Sequence, residues 1–246
     1  MTDSAPRSRV QRLRHEIKRR SVEVARVEAI SPLFRSITFT GDSLDDFVSA
    51  SFDDHVKFVL GGDAAEPVMR DYTPRRYSRA ARELTIEFAL HGDGPAADWA
   101  AQASPGQRVT IAGPRGSFVI PLDYDWHLLI GDETALPAVA RRLEELPAAT
   151  RAIVLVQVSG QSERRRFDSR ADVDVQWLGD AEQLIAAVRA LQLPPGEGYA
   201  WCAGEAGAMA ALRRVLVDEK GHDRHAIRAA AYWKKGSVAH HQDLGD

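Results

Sequence analysis

Arg70-Asp71-Tyr72-Thr73-Pro74-Arg75-Arg76-Tyr77 is followed, one apolar stretch later, by His91-Gly92-Asp93-Gly94-Pro95-Ala96-Ala97-Asp98-Trp99. Residues i and i+2 of an extended strand share a face. Arg70 and Tyr72 therefore point the same way, with Thr73 beside them at the strand end. Together they offer a guanidinium for a phosphate, a π-face for a flat ring and a hydroxyl for a ring nitrogen, which suits a flavin dinucleotide. The second run supplies glycines and a helix opened by Pro95, suited to the first helical position. Such a turn brings backbone N–H groups close to a pyrophosphate. Taken alone, the first run reads equally as a strand with a surface arginine and a half-buried tyrosine. His91 could hold the ring or simply finish a strand, and Trp99 has the spacing of a core residue.

Working outward, the residues before position 121 have the texture of strands. His55-Val56-Lys57-Phe58-Val59-Leu60 and Leu84-Thr85-Ile86-Glu87-Phe88-Ala89-Leu90 alternate at period two, and Gly61-Gly62 and Pro105-Gly106 punctuate them. Two more strands are expected at 108–112 and 117–120. This half is expected to be an antiparallel β-barrel interrupted by one short helix over 95–103. After Pro121 the period changes. Apolar strands are expected at 127–130, 152–158, 173–178, 199–203 and 227–232, alternating with helices that end near 146, 191 and 219. That alternation predicts an α/β half with a parallel sheet of about five strands. The expected organisation is a basic arm over 1–20, a barrel over 21–122 and an α/β region over 123–246. The arm, rich in arginine, reads as solvated and partly helical or disordered.

Composition narrows the function classes. The 246 residues carry 44% hydrophobic and 27% charged side chains, as a soluble globular chain does. A net charge of −3 argues against a dedicated nucleic-acid binder. No apolar run reaches transmembrane length, and the basic N-terminus lacks the apolar core of a secretory signal. The single cysteine, Cys202, excludes internal disulfides and a four-thiolate iron–sulfur cluster. The chain is expected to be cytoplasmic, with no membrane or nucleic-acid partner. No cluster has metal-ligand spacing; the adjacent His240-His241 cannot both face one site and read as a tail without a role. No nucleophile elbow supports hydrolysis.

The chain resembles the siderophore-interacting proteins, ferric-siderophore reductases of the ferredoxin–NADP reductase superfamily. The resemblance runs from about residue 22 to 236. It rests on an ordered set: the Arg70 run, His91 to Ala96, Ile111-Ala112-Gly113-Pro114-Arg115-Gly116-Ser117-Phe118, Gly131-Asp132-Glu133-Thr134-Ala135-Leu136-Pro137-Ala138, Ala203-Gly204-Glu205, and Tyr232-Trp233-Lys234-Lys235-Gly236. It implies that the barrel holds FAD and that the carboxyl ends of the parallel strands hold NADPH or NADH. Arg70 is then expected on the FAD pyrophosphate, Tyr72 on the ring and Thr73 near its reactive N5. Tyr72 and Thr73 come nearest to catalytic residues. His91 and Gly92 would lie along the flavin, and Gly94, Pro95, Ala96 and Ala97 would cradle the pyrophosphate. Family members often carry serine where this chain has Ala97, so weaker FAD retention is expected.

The resemblance also places Gly131, Asp132, Glu133, Thr134, Ala135, Gly204, Glu205 and Trp233 at the cofactors. The turn at Gly131 is not a GxGxxG fingerprint and reads equally as an ordinary helix start capped by Thr134 or Asp132. Arg164, Arg165 and Arg166 follow the second parallel strand, where the adenosine ribose is read in such sheets. Guanidiniums there favour NADPH, although a solvated charge run is the alternative. Lys57, Arg115, Lys234 and Lys235 are the candidates for a cationic patch that draws in a ferric siderophore, and each alone reads as surface charge. The expected activity is hydride transfer from NAD(P)H to FAD, then single electrons to siderophore-bound Fe(III) with release of Fe(II). A reductase with another acceptor (a ferredoxin, free flavin or quinone) and a non-enzymatic siderophore-binding protein are the alternatives. A ferredoxin donor stays open, and a monomer is expected.

Overall fold

The structure is a computed structural model, which describes residues 9–61, 67–90, 94–237 and 242–244. The N-terminal part contributes the strands β1 (Gln11–Arg14), β2 (Arg19–Ser31), β3 (Phe34–Thr40), β4 (Val56–Leu60), β5 (Val68–Tyr72), β6 (Arg76–Ser78), β7 (Glu83–Ala89), β8 (Arg108–Ala112) and β9 (Gly116–Val119), with one helix, α1 (Pro95–Ala101). The C-terminal part follows as β10 (Trp126–Gly131), α2 (Leu136–Glu145), β11 (Arg151–Gln157), β12 (Asp172–Leu178), α3 (Ala181–Ala190), β13 (Gly198–Glu205), α4 (Ala206–Arg214), β14 (Ile227–Trp233) and β15 (Gln242–Asp243).

Seven N-terminal strands form an antiparallel sheet in the order β5-β4-β8-β2-β3-β7-β6. The sheet curls so that β5 approaches β7, but its edges β5 and β6 are not hydrogen-bonded to each other. Alternation does the sorting: Val22 and Val24, Ile37 and Phe39, Val56 and Phe58, and Leu84, Ile86 and Phe88 all turn inward and are buried. Trp99 joins them, 4.8 Å from the Phe58 ring and stacked on Phe39 at 6.2 Å, as its spacing predicts.

The C-terminal sheet runs β12-β11-β10-β13-β14-β15, five parallel strands with β15 added antiparallel at the edge. β10 is buried along its whole length, and β11 nearly so, because helices cover both faces. Gly131 ends β10 where chain and helix come too close for a side chain. A Cβ there would lie 2.4 Å from the Ala135 Cβ and 2.5 Å from the Ala203 carbonyl oxygen. The two-residue β15 carries no periodic signal and is legible only in the fold.

The arginine-rich segment differs from its expectation where it is described. Gln11–Arg14 pairs antiparallel with Gly116–Val119. Arg9 meets Asp123 and Glu197, and Arg20 is buried against Asp46. The strand is exposed along its length, as a solvated segment is, but it is ordered as a strand and not as a helix, and Arg9 and Arg20 tie it to carboxylates of the folded body.

The two sheets are joined by charged side chains that leave water together. Arg75 meets Glu87 at 3.1 Å and Glu144 of α2 at 2.5 Å; Arg165 from beyond β11 reaches the other oxygen of Glu87 at 2.5 Å. Arg141 of α2 donates to the carbonyls of Ser49 and Pro74, both at 2.9 Å. Arg228 of β14 pairs with the buried Asp53. A buried pair of this kind fixes geometry more than it adds stability. Here the fixed quantity is the cleft between the sheets.

Candidate functional site

That cleft encloses about 720 Å³ and is lined from both sides. The N-terminal sheet supplies Lys57, Arg70, Tyr72, Thr73, Gly94 and Ala97; the C-terminal sheet supplies Asp132, Glu133, Thr134, Tyr232 and Trp233. The consecutive residues Met69, Arg70, Asp71 and Tyr72 of β5 all line the cleft, so both faces of this edge strand border it. The Arg70 guanidinium donates to the Met69 carbonyl at 2.9 Å and meets no carboxylate among the described residues. The Tyr72 ring packs 4.3 Å from the Phe88 ring, and burial pushes its phenol up, so it stays neutral. Thr73 is buried just past the strand end, beside the Tyr232 hydroxyl, which donates to Asp53 at 3.3 Å.

The start of α1 faces the same space. Gly94 precedes the helix in extended conformation and has no side chain to cap it, and among the described residues no side chain accepts from the first-turn N–H groups. A Cβ on Gly94 would meet nothing within 4 Å, so open cleft lies directly over the helix start. An unpaired guanidinium, uncapped amides and an aromatic ring along one open groove fit a dinucleotide carrying a pyrophosphate and a flat ring. Pro95 and Ala96 belong to this first turn, with Ala96 buried. His91 and Gly92 lie outside the described residues, as do His240 and His241.

The opposite wall is built differently. Asp132 is fully enclosed and accepts four hydrogen bonds: from Thr134 N at 2.9 Å, Thr134 Oγ1 at 2.5 Å, Glu205 N at 2.9 Å and the Trp233 indole N–H at 2.8 Å. Burial raises its pKa, and these donors oppose the rise. The expected cap is therefore Asp132, and it also ties the ends of β10, β13 and β14 together. Gly204 makes this possible. Its φ is +152°, and a Cβ would lie 2.4 Å from Asp132 Oδ2. Glu205 caps α4 through Ala208 N at 3.0 Å, and the buried Glu133 accepts from Ser159 N. So Gly131, Asp132, Glu133, Thr134, Ala135, Gly204, Glu205 and Trp233 are brought together. Several N–H groups there are already taken by the chain's own carboxylates, which leaves fewer for a pyrophosphate than on the α1 side.

The arginine run divides. Arg165 turns inward onto Glu87 and over the Phe34 ring, 4.7 Å from its centroid, whereas Arg164 and Arg166 are exposed. Alternation along the extended segment explains the split. Of the candidate substrate cations, Lys57 lines the cleft. Arg115, Lys234 and Lys235 are exposed outside its lining. The Arg115 turn lies against the N-terminal segment, where its carbonyl accepts from His15 N at 3.0 Å. Sequence reasoning missed Glu87, Asp53 and Asp71, whose partners no local spacing signals; it named Asp132 at the site and as a cap, but not the bonds it accepts from Glu205 N and the Trp233 indole.

Two comparisons bear on identity. The family described as siderophore-interacting protein matches residues 124–236, and the siderophore-interacting FAD-binding domain matches 23–66 and 61–118. The NADPH-dependent ferric-chelate reductase of Escherichia coli (strain K12) is 35% identical over 91% of this chain and 96% of its own length. The chain belongs to the siderophore-interacting protein family. Two further members extend the likeness. Ferric vibriobactin reductase ViuB of Vibrio cholerae is 28% identical, covering 91% of this chain and 93% of its own. The crystal structure of a siderophore utilization protein from T. fusca superposes with a TM-score of 0.88 at 32% identity, covering 94% of this chain and 98% of that one. The antiparallel FAD-binding half and the parallel α/β half described above are the architecture of this family.

Proposed function

We propose that this member of the family is an FAD-dependent ferric-siderophore reductase that draws its electrons from NADPH. The observation that carries the reading is that Arg70, which meets no carboxylate among the described residues, and the start of α1 line one cleft shared by the two matched family regions. When FAD is bound, Arg70 and the first-turn amides of α1 would hold its pyrophosphate, and Tyr72 and Thr73 would lie at its ring. Bound FAD supplies what no side chain can: exchange between a two-electron hydride donor and a one-electron acceptor. One NADPH thus accounts for two ferric ions reduced and one proton released. Ferrous iron is held weakly by such chelators and leaves. The walls orient the ring and keep bulk water away, with Trp233 at the cleft mouth, 41% exposed.

No helix among the described residues is long and apolar enough to cross a membrane. The one cysteine is buried and its thiol pushed up to about 12, which keeps it unreactive.

The acceptor is the part of the reading to test. Ferric siderophores are expected to stimulate NADPH oxidation by the FAD-loaded protein strongly, and a ferredoxin, free flavin or quinone weakly. Comparable stimulation by any of those three would overturn the assignment of acceptor. The donor is tested by Arg164→Ala with Arg166→Ala. Loss of two exposed cations near a 2′-phosphate is expected to raise KM for NADPH about tenfold while KM for NADH changes less than about twofold. Equal changes for both would remove these arginines from the 2′-phosphate.

A further inference from the structure

We propose that Asp71 sets the charge selectivity of the substrate cleft by neutralising Lys57, so that uncharged ferric chelates are accepted in preference to multiply anionic ones. The proposal rests on the reading above in one respect: that the cation facing the chelate is Lys57.

Lys57 and Asp71 are directly opposed in the β4–β5 ladder, so their side chains stand on the same face. The ammonium and Asp71 Oδ2 are 2.7 Å apart. Both residues line the cleft. The lysine side chain is 46% exposed and the carboxylate 16%, so the acid lies beneath the base. Asp71 Oδ1 is buried and has no hydrogen-bond partner among the described residues. Lys57 is thus the one described partner of this carboxylate, and the pair is a local charge setting rather than a link in a structural network.

The remaining charges of the cleft lining sharpen the point. Among the described residues, its cations are Lys57 and Arg70, and its carboxylates are Asp71, Glu87, Asp132 and Glu133. Glu87 is matched by Arg75 and Arg165, Asp132 by four donors, and Glu133 accepts from Ser159 N. Arg70 is committed to the FAD phosphate in the reading above. Little positive charge is then left for a chelate among the described residues, and Lys57 already has its counter-ion. A trianionic chelate must either compete with Asp71 for Lys57, leaving that carboxylate uncompensated, or bind without a cation. An uncharged chelate meets neither difficulty.

The test compares two redox-inert complexes on the FAD-loaded protein by titration calorimetry: gallium(III) tris-catecholate, which is trianionic, and gallium(III) tris-hydroxamate, which is uncharged. Asp71→Asn keeps the shape and removes the charge. It is expected to tighten the trianionic complex about tenfold, with the gain shrinking in about 0.5 M salt, and to change the uncharged complex less than about twofold. Asp71→Ser, smaller and also uncharged, should shift affinity in the same direction. Lys57→Ala is measured alongside and should weaken the trianionic complex. If it does so while Asp71→Asn gives no gain, the proposal fails and the Lys57 reading stands. If neither variant alters binding, Lys57 does not face the chelate and both fall. Equal tightening of both complexes would show that shape, not charge, is what Asp71 controls, and would overturn the proposal.

Discussion

Arg70→Ala is expected to weaken FAD binding by roughly two to three orders of magnitude, with no matching loss of protein stability. A guanidinium on a phosphate makes paired, charge-assisted hydrogen bonds, each roughly twice as strong as a neutral one. Losing both corresponds to about 3–4 kcal/mol, hence the size of the effect. Stability should be spared because the described structure gives Arg70 a single hydrogen bond, to the neighbouring Met69 carbonyl. A side chain so placed usually changes stability by less than about 0.5 kcal/mol. Quenching of flavin fluorescence on titration into apoprotein gives the affinity, and the thermal midpoint of the apoprotein gives the control. Arg70→Lys should recover only part of the affinity, because an ammonium keeps the charge but loses the fork. An affinity within about threefold of wild type in Arg70→Ala would remove Arg70 from the phosphate.

Glu87→Ala should produce the largest loss of stability of any substitution at the cleft. Glu87 is 8% exposed and lies between Arg75, 3.1 Å away, and Arg165, 2.5 Å away. Removing the carboxylate leaves two guanidiniums largely out of water, and Arg165 already has Nε and Nη2 buried without partners. Breaking a buried pair from one side costs about 3–5 kcal/mol. For a chain of this length that corresponds to a fall in thermal midpoint of roughly 10 °C. Glu87→Gln keeps the shape and two polar ends and should lose less. Glu144 also bridges Arg75 to α2, and its carboxyl is held down to about 2 by Arg75 and Arg76 against the opposing effect of burial. A loss below about 1 kcal/mol in Glu87→Ala would mean that the sheets are held together mainly by apolar contacts.

The two-part architecture was legible because the hydrophobic period changes from two to the mixed strand-and-helix pattern near position 121, and a period reflects burial directly. Leu84, Ile86 and Phe88 face the interior of the first sheet just as their alternation requires. Arg70, Tyr72 and Thr73 could be placed at a common groove because i and i+2 on a strand share a face whatever the tertiary context. The fate of the charged residues could not be read in the same way. Arg164, Arg165 and Arg166 are indistinguishable in sequence. In the fold only Arg165 finds Glu87, 78 residues earlier in the chain. Lys57, expected near the groove, lines the cleft, but its counter-ion Asp71 emerges only from the β4–β5 register. Asp132, read as one of two candidate helix caps, gathers four donors from three strand ends, an arrangement that depends on Gly204 and Trp233 arriving from elsewhere. The arginine-rich N-terminal stretch shows the same limit. Charge density marked it as solvated, and its strand is exposed, but that it forms a strand at all is decided by pairing with Gly116–Val119, more than 100 residues away.

The most direct test of the central claim is the visible absorption of the FAD-loaded protein under anaerobic conditions, first with NADPH and then with a ferric siderophore. The account predicts that the flavin bands bleach with NADPH and return on addition of the chelate, with ferrous iron appearing in step. A protein that takes up no FAD, or whose bleached bands do not return when the ferric siderophore is added, would contradict it.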